Sequence, residues 1–508
     1  MSSSSLVQRN EILQKLRNKC DYLWQSKLTQ SAPESPMNAL WEEHLEIRQQ
    51  LKEIFKLQEE LGAVVPKAND RQQSLIAFMN WCDRMKIKRN NVTVKYFDNI
   101  GFELQTTGEV KEGEDMVTVP RNALLSWDLA RKSVLLKKCF ERDIIVRSMD
   151  NVALALMLCC QKLSSDSFWH PYFNILPETF DTPLYYSENE LQALKPSPAF
   201  EDALLLFRDI TRQFLYFMIE VIHVVEYRSA KLQKKQQAQM HEPTFLNTPL
   251  TPENFTFDLY RWSVACVSTR INMIPSQDLR NHNDAPVLIP CLIPLLDMAN
   301  HEVCMNASLP HVYFSAENDC ASITAVRNYN AGETVRIYYG KRCSSDFLLH
   351  NGFVPESDSF EDTCKLKIGI TKKSEFYNAR LKMMQDYGYT TNSNIFHFDL
   401  SLKEPYVDES LLYFARVFVL NNPDENGKSQ LETYDVTLKA WDFLRKRLEL
   451  TLSTYGKLDN IKPATSREAT ILRLKRNEVK VLRKAFHYSS EQYLKLLSQS
   501  QQEGQVAA

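Results

Sequence analysis

Four apolar runs between residues 261 and 353 end in polar side chains that an ordinary core does not call for. RWSVACVSTRIN ends on Arg270 and Asn272, LIPCLIPLLDMANH on Asp297, Asn300 and His301, AGETVRIYYG on Tyr338 and Tyr339 before Gly340, and FLLHNGF carries Asn351. Buried polar groups need partners, so these ends are expected to converge on one site. A phenol at a strand end, before a glycine, can direct its hydroxyl into a channel and orient a reacting group. At neutral pH that hydroxyl is protonated. Alternation along the strand then turns Tyr338 to the other side, toward the core.

Much chemistry is excluded by composition. The chain has 12 glycines and no G-x-G, so neither the dinucleotide fingerprint nor the P-loop is present. It has 11 cysteines, an odd number, and no C-x-x-C, which offers no zinc site and fits buried free thiols in a reducing compartment. A net charge of −2 argues against an electrostatic nucleic-acid binder. No apolar run reaches the roughly 18 residues of a membrane span, and MSSSSLVQRNEIL lacks the apolar segment of a secretory signal. A cytoplasmic protein, also allowed in the nucleus, is expected, and a monomer.

Asn300-His301 after an apolar run, an Ala331-Gly332-Glu333 turn, and Tyr338-Tyr339-Gly340 about 40 residues on resemble the signature of SET-domain methyltransferases. RWSVACVSTRIN and FLLHNGF resemble the branch typified by Rubisco large-subunit methyltransferase, and within it the actin-histidine N-methyltransferases, from about Trp41 to Leu420. The resemblance implies an α+β fold: a SET domain of small sheets, split by a helical insertion, followed by an all-α substrate-binding domain. It implies S-adenosylmethionine as cofactor and actin as protein substrate, with no metal.

By that resemblance Arg71, Ile100, Gly101, Phe102, Arg270, Asp297, Asn300, His301, Asn351 and Phe353 hold the cofactor, Ile100 through its backbone only. Tyr339 and Asn272 act at the reaction centre. Gln213, Asn272, Leu296, Ile337 and Arg342 face the substrate. Methyl transfer from a sulfonium is an in-line displacement, so positioning supplies much of the acceleration. An imidazole, with a reference pKa of about 6.5, already has a lone pair at pH 7, whereas a lysine must first lose a proton. Its second nitrogen needs a partner, and Asn272 matches an asparagine with that role in the histidine enzymes, where lysine-modifying relatives tend to have an aromatic residue. Leu296 stands where the histidine enzymes have tryptophan, which leaves lysine as the alternative acceptor. A SET-like scaffold without activity is the alternative of another class. Plainer readings stand beside these: an Arg270–Asp297 ion pair, a solvated Arg71 at a helix start, Asn272 bonded to nearby backbone, and Tyr339 as an interfacial core residue.

The positioning elements follow from periodicity and breakers. Helices are predicted over 6–28 and 37–62, separated by SAPESP (31–36), and are expected to pack on the domain rather than form a coiled-coil arm. A helix over 71–85 precedes strands at 92–97, 101–104 and 115–119, with a turn at Asp98-Asn99. Gly101 marks a close backbone approach or a hairpin bulge. Helices are predicted over 122–136, 144–163 and 199–232, with the aromatic, proline-broken segment 168–186 between them as satellite core. KLQKKQQAQ (231–239) reads as a solvated helix end or linker. A strand at 364–370 and helices over 374–387, 408–420, 433–453 and 466–499 complete the chain. The last helix carries a basic stripe, read as a solvated face, and 500–508 reads as a disordered tail. The expected domains are 1–69 helical, 70–360 SET with the insertion at about 130–255, and 361–499 helical.

Overall fold

The computed structural model describes residues 3–29, 37–64, 70–98, 100–232, 241–303, 311–356, 362–389, 394–421, 423 and 427–506. SAPESP at 31–36, Asn99 of the expected turn, and nearly all of the 231–239 run lie outside these. The chain divides into two compact units, Met1–Phe180 with Leu204–Gly340, and Asp181–Ala203 with Lys341–Ala508.

Three small sheets build the first unit. One pairs Lys88–Arg89, Asp115–Pro120, Cys320–Thr324 and Val312–Ser315 in that order, all antiparallel. Another pairs Leu125–Ser126, Pro286–Leu292 and Asn272–Arg280. The remaining sheet positions the site. Val92–Phe97 and Gly101–Thr106 form a hairpin with Phe97 opposite Gly101, and Thr334–Ile337 pairs with its second strand. Asn300–His301 then adds in parallel, Arg336 opposite Asn300 and Ile337 opposite His301. This short parallel bridge brings two motifs some 40 residues apart in sequence side by side. Gly101 sits at φ +88°, which an L side chain adopts only at a cost.

Helices brace these sheets. VALALMLCC within Asp150–Leu163 is buried throughout, as a helix hydrophobic on all sides must be. It packs on Phe257–Arg270, with the Cys159 thiol donating to Ser263 Oγ at 3.2 Å. The predicted 144–163 helix breaks at Met149, and the predicted 122–136 helix divides into a turn at Arg121–Ala123, the Leu125–Ser126 strand and a helix at Trp127–Lys132. Sheet pairing overrides helical propensity there: Leu125 and Ser126 pair with Leu292 and Cys291. The N-terminal helices Ser3–Tyr22 and Met37–Glu60 pack on the unit. Gln58 Nε2 donates to the carbonyls of Pro252 (2.6 Å) and Phe255 (3.0 Å), and the buried Arg208 bonds Glu43 (3.0 Å) and the Thr29 carbonyl (2.9 Å). Trp169, Tyr172, Phe173 and Phe180 are core, whereas Phe168 is exposed.

The second unit departs from the all-α expectation. Thr363–Gly369 pairs antiparallel with Ile395–Ser401 along its whole length, and Phe396, Phe398 and Leu400 alternate into a core with Leu411, Phe414, Trp441 and Leu482. The helices Tyr377–Tyr387, Glu409–Val419, Tyr434–Thr454 and Ser466–Val506 cover that sheet's unit. The last runs on to Val506, so the expected tail is helical over most of its length. Ten described cysteines are free and nine of them buried. No described helix is long and apolar enough to cross a membrane.

Candidate active site

Arg270 is the hub of the first unit's polar cluster. It is the last residue of the Phe257–Arg270 helix, where a cation meets the negative end of the helix dipole. Its Nη1 donates to the Asp297 carbonyl at 2.9 Å and lies 3.8 Å from the Asp297 carboxylate. Asp297 rides on the Leu296–Met298 turn, entered through Leu295 at φ 70°, ψ −48°, near the rare γ-turn geometry. A strained non-glycine residue of this kind persists only where its surroundings hold it. Here the Tyr172 hydroxyl donates to Asp297 Oδ2, and Arg270 holds the Asp297 carbonyl by a hydrogen bond and the same carboxylate oxygen as an ion-pair partner. Burial pushes the Asp297 carboxyl up to about 6, against the pull of Arg270 and Tyr172. Burial opposes the charge on Arg270, but Asp297, Tyr172 and Tyr339 around it more than compensate.

Arg71 joins this cluster. Its Nε donates to the Ile175 carbonyl at 2.9 Å, its guanidinium lies over the Phe102 ring 5.0 Å from the centroid, and a Cβ on Gly101 would stand 3.6 Å from its Nη1. It is therefore an integrated residue and not a solvated helix start. Burial and the Arg270 charge both lower its pKa. Arg71 and Arg270 thus stand close enough to repel, Glu178 acting on the first and Asp297 pairing with the second, and Asp297 Oδ1 has no hydrogen-bond partner among the described residues. Two neighbouring guanidiniums suit a further carboxylate. Gly101 and Phe102 belong to the same locality, whereas the Ile100 side chain is exposed.

A second knot forms at the parallel bridge. Asn300 Nδ2 donates to Oε1 of the buried Glu103 at 2.6 Å. Tyr339 N–H donates to His301 Nδ1 at 3.3 Å, the two rings lie 5.2 Å apart, and the Tyr339 hydroxyl donates to the Ala299 carbonyl at 2.9 Å. Tyr338 N–H donates to His311 Nδ1 at 3.1 Å. Tyr338 is 40% exposed and not core: Val335 and Ile337 are the buried face of this strand, which leaves Arg336 and Tyr338 outside. Asn272 opens its strand opposite Cys291, and its Nδ2 donates to the Arg270 carbonyl at 3.2 Å. That orients the carboxamide with its oxygen as the remaining group.

Of the other expected site residues, Leu296 shares the turn of Asp297 and Ile337 stands opposite His301. Gln213 accepts from the hydroxyl of the buried Tyr260 at 2.8 Å. Leu296 is 0% and Ile337 4% exposed, so both pack into the interior. Arg342, Asn351 and Phe353 belong to the second unit. There Arg342 Nη1 donates to Asn351 Oδ1 at 2.6 Å, and Phe353 packs on Phe347, with centroids 5.1 Å apart. Gly352 caps the Ser344–Asn351 helix at φ 83°. Sequence reasoning did not find Glu103, His311 or the Tyr172 hydroxyl as site groups. Only the acidic residue inside the apolar GFEL stretch gave a signal. No group of three or more His, Cys, Asp or Glu placed for a metal occurs among the described residues.

No family model matches the chain. Among curated proteins it is similar to the actin-histidine N-methyltransferase of Xenopus tropicalis, 31% identical over 497 residues, which covers 93% of this chain and 79% of that one. The Homo sapiens actin-histidine N-methyltransferase is 31% identical over 441 residues, covering 84% and 68%. The chain belongs to the actin-histidine N-methyltransferase family. Membership makes it a methyltransferase. Its fold is that of the SET domain of Rubisco LSMT: the structure of that protein bound to sinefungin and monomethyllysine aligns with a TM-score of 0.63 at 18% identity, covering 83% of this chain and 93% of that one. The same protein bound to AdoMet aligns at 0.61 over 85% of this chain.

Proposed function

We propose that this protein methylates the distal imidazole nitrogen of a histidine in actin, using S-adenosylmethionine. The observation that carries this reading is the 31% identity over 93% of the chain to a protein named as an actin-histidine N-methyltransferase. The residues of this cluster fit the cofactor: Arg71 and Arg270 suit its carboxylate, Asp297 its amino group, and Asn300 with the His301 backbone the neighbouring polar atoms. S-adenosylmethionine supplies a methyl group on a sulfonium.

The chain's own residues do the rest. Arg270 and Tyr172 fix Asp297, so an amino group meets a carboxylate already oriented. Tyr339 is held at its amide by His301 and at its hydroxyl by Ala299. Its phenol orients the nitrogen that attacks. Asn272, fixed by its bond to the Arg270 carbonyl, presents a carboxamide oxygen that accepts from the other imidazole N–H. The attacking nitrogen is thereby the one with the lone pair.

The test incubates the full chain with S-adenosylmethionine and two actin peptides, one with the target histidine and one with lysine in its place. Mass spectrometry locates the methyl. The histidine peptide is expected to be modified, Tyr339→Phe to lower the rate roughly a hundredfold, and Asn272→Phe to lower it by at least about tenfold. Methyl on the lysine peptide alone would establish the lysine reading. Cofactor binding without transfer to either peptide would point to another substrate.

A further inference from the structure

We infer that a basic cleft on the second unit binds an acidic segment of a partner protein. The cleft, about 750 Å³, lies between the Leu402–Tyr406 loop and the Ser466–Val506 helix. Lys403, Lys480, Arg483 and Lys484 line it with a single acid, Glu491, and His487 stands among them. This concentration of positive charge sits in a chain whose net charge is −2.

Helical spacing puts residues 480, 483, 484 and 487 on one face, where like charges repel at a cost of roughly 0.2–0.5 kcal/mol per pair. Elsewhere in this unit the arginines are compensated. The other eight arginines each donate a hydrogen bond, for example Arg416 to Glu409 at 2.9 Å and Arg467 to Asp181 at 2.9 Å. Arg483 alone among them has neither a hydrogen bond nor an ion pair among the described residues, and Lys484 is likewise exposed without one. A uniformly solvated face does not explain this contrast within a single helix, since Arg467, Arg473 and Arg476 upstream are all engaged.

The floor decides the class of partner. Tyr406 and Tyr488 are half-buried, with ring centroids 5.6 Å apart, and Leu402 lies beside them. An apolar floor under a cationic rim suits a peptide that offers carboxylates and an occasional apolar side chain. A free phosphate would want buried donors, whereas these cations are exposed. A membrane surface would want an apolar wedge that projects, and the tyrosines are recessed. The cleft lies wholly within the second unit, so binding there does not depend on methyl transfer.

The experiment measures fluorescence anisotropy of a short fluorescein-labelled peptide of glutamates interrupted by leucine, titrated with the full chain. A peptide with glutamine for glutamate is the control. The glutamate peptide is expected to bind, and to weaken as salt is raised. R483E with K484E should weaken it roughly tenfold or more. K457E with K462E, which changes net charge equally at exposed positions away from the cleft, should leave it nearly unchanged. Melting temperature checks that each variant folds, and R483Q gives a milder loss should the double change unfold the chain. Equal binding of the two peptides, equal loss in both double variants, or tighter binding to phosphatidylserine vesicles than to the glutamate peptide would each overturn the inference.

Discussion

Leu296 shows how a residue's environment changes what its identity means. Read along the chain, a leucine before Asp297 where the histidine enzymes have tryptophan widens an acceptor pocket. In the folded protein the side chain has no exposed surface. It sits on the turn that the strained Leu295 introduces, with Asp297 clamped beside it by Tyr172 and Arg270. Leu296→Trp is therefore expected to overpack the turn, costing roughly 1–3 kcal/mol, and to lower S-adenosylmethionine affinity through Asp297. A shift toward histidine as acceptor is not expected. Urea denaturation and calorimetric titration check this, and unchanged stability with an altered histidine-to-lysine ratio would return Leu296 to the pocket wall. Arg270, Asp297, Asn300, His301 and Tyr339 were legible in sequence because polar residues end apolar runs there. The Tyr172 phenol and Glu103 were not, since their partners lie 125 and 197 residues away. Period-2 and period-3.6 patterns report burial, not which distant atom meets a buried oxygen.

Elements bring these residues together, and two glycines separate the demands they meet. Gly101 and Gly352 both have positive φ, +88° and +83°. Around Gly101 there is room, the nearest atom to an added Cβ being Arg71 Nη1 at 3.6 Å. At Gly352 an added Cβ would stand 2.8 Å from the Asp181 carbonyl carbon and 2.9 Å from the Thr182 nitrogen. Gly101→Ala is expected to cost about 1–2 kcal/mol, the conformational penalty alone. Gly352→Ala adds a backbone collision and should cost roughly 3 kcal/mol or more. Chemical denaturation of both variants separates the two terms, and equal losses would show that space at Gly352 is irrelevant. Long apolar helices such as Asp150–Leu163 were legible from their runs. Ile395–Ser401 carries a clear alternation, buried at Phe396, Phe398 and Leu400. Only the strand at 364–370 is expected in this region, because the about 25 residues between it and Ile395 carry a helical pattern and local windows do not show the pairing of the two. At 122–136 sheet pairing won over helical propensity, a tertiary effect that no local window contains.

At the scale of the whole molecule, pH couples to the second unit's stability through a carboxylate that the sequence presents as one more acid on a charged helix. Glu478 is fully buried, accepting from Ser197 Oγ at 2.7 Å and from the Tyr455 hydroxyl at 3.0 Å. Burial raises its pKa to about 7 against those two hydrogen bonds, with Asp362 raising it further. In the unfolded chain it returns to an ordinary glutamate value near 4.3. A raised carboxylate stabilises the fold fully below its unfolded pKa, and that contribution is lost as pH rises through about 7. The protonated acid fits its pocket, whereas the anion must be held there at a cost. Lowering the pH from 8 to 5 is therefore expected to stabilise the wild-type chain by about 2–3 kcal/mol relative to Glu478→Gln. The glutamine keeps the shape and has no proton to release. Urea denaturation of both chains across that range measures the difference, and it should narrow as the pH falls if Glu478→Gln is the more stable at pH 8. Parallel stability curves for the two chains would show that Glu478 does not titrate in this window, and that Ser197 and Tyr455 hold it as an anion in the fold.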